Sequence, residues 1–178
     1  MLWRAGIVRL GEPQLKRDQL DRGIHSVYCS DMKVTVRRAE AADAAEIAVC
    51  LAALGYDTST TLVAEKLSTL MGSSSDTVLV ADDPTNGIAG VVSVHLLPLF
   101  HAAGNLARLT SLAVAPEHQR KGVGRALVGA AEAFAWEHDC RRVEVTSGDH
   151  REDAHKFYHA LGYAIDERRF IKHRSSAA

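Results

Sequence analysis

The sequence predicts an α/β protein, a mixed sheet with helices on both faces. Three observations carry this. Apolar patterns of strand and helix period follow one another as β-α-α-β-β-β-α-β-α-β, with a further strand at the end. Asp82-Asp-Pro84-Thr-Asn86-Gly87 is a turn between two strand-like runs, which makes those runs antiparallel neighbours. An apolar run ending at Ala113-Val114 passes through a short glycine-bearing loop into a long amphipathic helix.

Each element has its own warrant. Lys33-Val34-Thr35-Val36-Arg37 alternates as a strand does. Asp43 with Glu46 reads as a capping box opening a helix that buries Ala44, Ile47, Ala48 and Leu51 and stops at Gly55. Thr58 to Met71 is a second helix, with Val63, Leu67 and Leu70 on one side. Thr77 to Ala81 and Ile88 to Leu97 flank the Asp82–Gly87 turn, and Leu106 to Val114 is the central strand. The long helix spans about Gln119 to Glu137, with Val123, Leu127, Ala130 and Phe134 as its core stripe. Arg142 to Thr146 is a strand. A short helix carries Ala154, Phe157, Tyr158 and Leu161 on one face and ends at Gly162. Tyr163 to Asp166 and Arg169 to His173 complete the order as closing strands.

Composition bounds the rest. A chain of 178 residues suits one domain with a sizeable core. Residues 32–174 form that domain, and 1–31 are a loosely ordered N-terminal extension with little periodicity. Met32 stands directly before the first strand, which suggests an internal translation start in some cells, testable by the native protein's mass. A net charge of −1 gives no footprint for nucleic acid or an anionic membrane. Cys29, Cys50 and Cys140 make no C-x-x-C pair, which fits a reducing cytoplasm. No apolar run is long enough to span a bilayer, and the nine histidines show no metal-ligand spacing.

The stretch Ala113-Val-Ala-Pro-Glu-His-Gln119-Arg120-Lys121-Gly122-Val123-Gly124-Arg125-Ala126-Leu127 carries the chemistry. Backbone N–H groups at a helix start have no partner within the helix and attract anions, and glycine lets a phosphate approach closely. Gln119, Arg120, Lys121 and Arg125 add donors and positive charge. The ligand expected is a pyrophosphate. A P-loop needs Lys-Ser/Thr after its last glycine, and Arg125-Ala126 stand there. A dinucleotide fingerprint needs a third glycine where Leu127 stands.

The run Gln119-Arg-Lys-Gly122-Val-Gly124 resembles the coenzyme A pyrophosphate loop of the GNAT superfamily of N-acetyltransferases. Roughly thirty residues on, Ala154-His-Lys-Phe157-Tyr158-His-Ala-Leu161-Gly162-Tyr163 resembles that superfamily's A-x-x-F-Y-x-x-x-G-F/Y signature. The resemblance covers Lys33 to His173 and implies acetyl transfer from acetyl-CoA to an amine, directly and in a ternary complex. It implies that Leu112, Ala113 and Val114 pair with the pantetheine arm, and that a backbone N–H polarises the thioester carbonyl. It implies that Gln119 to Ala126 hold the pyrophosphate, and that Tyr158 is the general acid to the leaving thiolate. Arg151 stands where relatives often carry Asn and is expected near the pantetheine or the 3′-phosphate. Arg108 stands where some relatives carry a basic Glu, so Glu144, His95, Asp149 or a water chain remain as candidate bases.

The segment from Arg142 to Lys172 looks similar to bacterial aminoglycoside 6′-N-acetyltransferase-like proteins. The acceptor expected is a small-molecule or peptide amine. Dimers are common in the superfamily. The alternative from another class is a non-catalytic acyl-CoA-binding module.

Overall fold

The computed structural model describes residues 25–29, 32–166 and 169–174. The chain divides into two compact units between Val145 and Thr146. The first holds strands β1 (His25–Cys29), β2 (Met32–Arg38), β3 (Asp76–Asp83), β4 (Gly87–Pro98), β5 (Asn105–Val114) and β6 (Cys140–Val145). It also holds helices α1 (Ala44–Ala52), α2 (Thr60–Met71) and α3 (Val123–Glu137). The second unit holds α4 (Glu152–Ala160).

The six strands lie in the order β1-β2-β3-β4-β5-β6, antiparallel except for the parallel pair β5·β6. That is the mixed sheet the sequence predicts. Alternation splits its apolar residues between two faces. On one face Val34, Val92, Val94 and Leu109 pack against Val123, Leu127 and Ala131 of α3. On the other, Val80, Ile88, Val91 and Ala113 pack against Ile47 and Cys50 of α1 and Val63 and Leu67 of α2. Each fully buried aliphatic side chain contributes roughly 2 kcal/mol.

Four details depart from the sequence reading. The chain is already strand from His25, so five residues placed in the N-terminal extension pair with β2; residues 1–24 lie outside the described residues. The Asp43–Glu46 capping box is absent. Asp43 instead accepts from the Glu40 N–H at 2.7 Å and from the two terminal guanidinium nitrogens of Arg37. Glu46 reaches across to the β3–β4 turn, where it accepts from the Ile88 N–H at 2.6 Å. Gly87, at φ +78, makes room for it, since a Cβ there would collide with Glu46 Oε2.

Helix α3 begins at Val123 rather than Gln119. Arg120 (φ 58) and Gly122 (φ 92) are both left-handed, which holds residues 119–122 as a loop ahead of the helix. The closing strands do not form among residues 163–166 and 169–174. Gly162 turns the chain at φ 90. The Tyr163 N–H then bonds back to the Tyr158 carbonyl, and the Tyr163 carbonyl meets His159 Nδ1. Those backbone groups serve the helix end instead of a ladder.

Candidate active site

The site starts from an interrupted pairing. The β5·β6 register runs from Asn105↔Cys140 to Leu109↔Val145 and stops, while β5 continues through Thr110, Ser111, Leu112, Ala113 and Val114. None of those five residues has a β6 partner, and Ser111 to Val114 pair with β4 on the other side. A strand edge left open this way presents backbone donors and acceptors to whatever extended group lies beside it. Leu112, Ala113 and Val114, the residues expected to pair with pantetheine, lie in this open half. Gln119 Nε2 donates to the Val114 carbonyl at 3.2 Å and ties the loop to the strand end.

Beyond the loop, the α3 N-terminus fits an anion. It has no side-chain cap and no acidic residue in its first turn. Its cap is Gly122, and Gln119, Arg120, Lys121 and Arg125 around it are exposed. Val123 and Ala126 are buried and fix the helix to the sheet, and Gly124 is half-buried between them. The N–H groups, the dipole and the side-chain charge all favour the same sign there.

On the sheet face that carries α1 and α2, one row of side chains crosses four strands. Asp76 of β3 pairs in register with His95 of β4, His95 with Arg108 of β5, and Arg108 with Glu144 of β6. Asp76 Oδ1 lies 2.7 Å from His95 Nδ1. His95 Nε2 lies 2.7 Å from Thr110 Oγ1, which is 2.8 Å from Ser93 Oγ. Glu144 takes Arg108 NH2 at 2.7 Å on one carboxylate oxygen and Arg142 Nε at 2.6 Å on the other. Hydrogen bonds from Ser73, His95 and Ser75 hold the Asp76 carboxyl below the usual carboxylate range, against the opposing effect of burial.

In the second unit, Arg151 caps α4, and Tyr158 sits between two aromatic neighbours. Its ring centroid is 5.2 Å from that of Phe157 and 5.7 Å from that of Tyr163, both edge-on. Burial pushes the Tyr158 phenol above its ordinary value, and Arg151 pulls it back only in part. Asp149, another candidate base, is exposed.

The sequence points to His95 and Glu144 as candidate bases and gives no part in that role to Asp76, Ser93 or Thr110. Their common signal is strand register, which no local pattern shows. Thr110 joins them because of a β-bulge: pairing steps from Ser93↔Ser111 to Val94↔Leu109 and leaves Thr110 without a β4 partner.

A parallel strand pair whose register ends midway, beside a glycine loop and an uncapped helix start, is the arrangement that the resemblance to the N-acetyltransferases implies. Residues 50–163 match the model of the acetyltransferase (GNAT) family, and the chain belongs to that family. It is 29% identical over 85 residues to aminoalkylphosphonate N-acetyltransferase of Salmonella typhimurium, a match covering 48% of this chain and 55% of that protein. The chain thus spans little more than half the length of that curated relative.

Solved structures share the fold. The GNAT family acetyltransferase of Staphylococcus aureus subsp. aureus USA300_TCH1516 has a TM-score of 0.66 at 20% identity, over 80% of this chain and 100% of that one. Aminoglycoside N-acetyltransferase AAC(6')-Iy, in complex with CoA, has a TM-score of 0.70 at 14% identity, over 87% and 98%. An aminoglycoside acetyltransferase, meta-AAC0020, from an uncultured soil sample has a TM-score of 0.68 at 21% identity, over 81% and 97%.

Proposed function

We propose that this chain is an N-acetyltransferase that moves the acetyl group of acetyl-CoA to a primary amine of a small molecule or peptide. The observation that carries the reading is the open half of β5, five residues long, leading directly into the glycine loop and the uncapped start of α3. Acetyl-CoA supplies an activated thioester. The open edge at Leu112, Ala113 and Val114 binds and orients the arm of the coenzyme, and Gln119 to Ala126 hold its phosphates. Transfer is direct within a ternary complex, where positioning of the two reactants supplies much of the rate.

Tyr158 donates its phenolic proton to the departing sulfur. Its raised pKa keeps that proton in place at neutral pH. Arg151, whose charge acts on Tyr158, steadies the phenolate that remains. The acceptor class follows the family relatives, whose names span aminophosphonates and aminoglycosides. A cytoplasmic location goes with the cysteine pattern, in which Cys50 and Cys140 are free thiols. Among the described residues no helix is long and apolar enough to cross a membrane.

Thiol release from acetyl-CoA across a panel of aminophosphonates, aminoglycosides, polyamines and peptides tests the reading. Tyr158→Phe is expected to lower kcat about 100-fold while leaving acetyl-CoA affinity, measured by calorimetry, within twofold. Binding of acetyl-CoA with no thiol release on any amine would favour the non-catalytic binding module instead.

A further inference from the structure

We propose that His95 is the base of this site, taking the acceptor amine's proton through the hydroxyl of Thr110, with Asp76 as its positioning residue. The inference rests on the acetyltransferase reading above and adds residues to it. Thr110 is where the closed and open halves of β5 meet. It is the bulged residue, it follows Leu109, the last residue paired to β6, and it is exposed. Its side chain therefore stands at the beginning of the edge that receives the thioester arm.

The hydrogen bonds fix the direction of proton flow. The ionised Asp76 carboxylate can only accept, so His95 Nδ1 carries the proton of that 2.7 Å contact. With the imidazole acting as base, its bare Nε2 accepts from Thr110 Oγ1–H, and Thr110 in turn accepts from Ser93 Oγ–H. A proton delivered to Thr110 Oγ1 releases the one already shared with Nε2.

The transfer balances on these groups. The amine nitrogen bonds the acetyl carbon and the C–S bond breaks. The nitrogen's surplus proton goes to Thr110 Oγ1 as the Thr110 proton goes to His95 Nε2, and the sulfur takes its proton from Tyr158. The imidazolium formed lies against the Asp76 carboxylate. Water later takes the extra proton from His95 and restores that of Tyr158.

Among the described residues, the charged neighbours of His95 in strand register are Asp76 and Arg108. Asp76 of β3 favours the imidazolium, and Arg108 of β5 opposes it, with Glu144 of β6 bound behind Arg108. Of the helices on this face, α1 brings Glu46, which is bonded to the Ile88 N–H, and α2 brings Glu65 and Lys66, which are exposed. Glu144 is the poorer base. Both its oxygens already hold arginines, and a proton would have to displace one of them.

The experiment compares pH profiles of kcat/KM for the full chain, His95→Gln, Thr110→Val and the double variant, each checked for a native melt. Thr110→Val keeps the His95–Asp76 pair and so tests the relay even where His95→Gln unfolds. The expected result is a fall of about 100-fold in kcat in either single variant, with the KM for acetyl-CoA unchanged. The acid limb of the profile disappears in His95→Gln, and the double variant is no slower than the worse single, as for residues acting as one unit. An acid limb that persists in His95→Gln, additive losses, or singles within threefold of the parent would overturn the base assignment while the acetyltransferase reading stands. No thiol release by the parent chain with any amine would overturn both.

Discussion

The two halves of β5 have the same backbone and opposite surroundings. From Asn105 to Leu109 the strand is paired on both sides, and Ala107 and Leu109 are buried against α3. From Thr110 to Val114 it has no β6 partner and, past the bulged Thr110, keeps only β4; of these residues only Ala113 is fully buried. The first half contributes stability, and the second leaves one edge of its ladder hydrogen bonds unpaired with β6. One strand thus has a closed half and an open half, and the bulge at Thr110 separates them.

Substitutions should separate those halves. The largest effect is expected at Leu109, 2% exposed in the closed half. Leu109→Ala should cost about 3 kcal/mol of stability, read by urea unfolding. Acetyl-CoA affinity of the molecules that remain folded should be unchanged. Equal loss of affinity and stability would show that the halves are not independent.

Gly122→Val tests the loop into which the open half leads. The left-handed φ of 92 disfavours any side chain, by roughly 1–2 kcal/mol, and the added Cβ stands where phosphate should approach. Acetyl-CoA binding should weaken at least about tenfold, more than the stability change alone explains. Calorimetry beside a thermal melt separates the two contributions.

The smallest effect lies in the cross-strand row. The Asp76 pKa is depressed in the folded state, so the unfolded chain binds protons more readily. Its contribution is fully present above the unfolded value of about 4 and is lost as pH falls through the folded value. Asp76→Asn should therefore lose a modest increment at pH 6, one that shrinks steadily as the pH falls below about 4. Asp43, lowered by Arg37 and the Glu40 N–H against its own burial, continues to titrate in that variant with the same sign.

Much of this was legible in the sequence because it is local. Gln119-Arg-Lys-Gly122-Val-Gly124 identified its loop from side-chain size and charge, and Val123, Leu127 and Ala130 gave the buried stripe of α3. The helix start was misplaced because Arg120 adopts a left-handed conformation that arginine seldom visits. Asp43 and Glu46 have capping-box spacing, yet both are used by distant groups: Arg37 on β2 and the Ile88 N–H on β4. The Asp76–His95–Thr110 chain exists only once three strands are in register and one residue bulges, and no window of sequence contains that.

The reach of Glu46 has a consequence for folding. Its hydrogen bond with Ile88 joins residues 42 apart and closes a loop that holds the rest of α1, all of α2 and the whole of β3. Loop-closure entropy grows only with the logarithm of length, so this long link costs little more than a short one. Non-local closures are nonetheless slow to find. The hairpin turn cannot seat its carboxylate until α1 is docked, and α1 leaves Glu46 without its partner until the turn exists. That hydrogen bond therefore forms only once α1 and the β3–β4 turn are both in place.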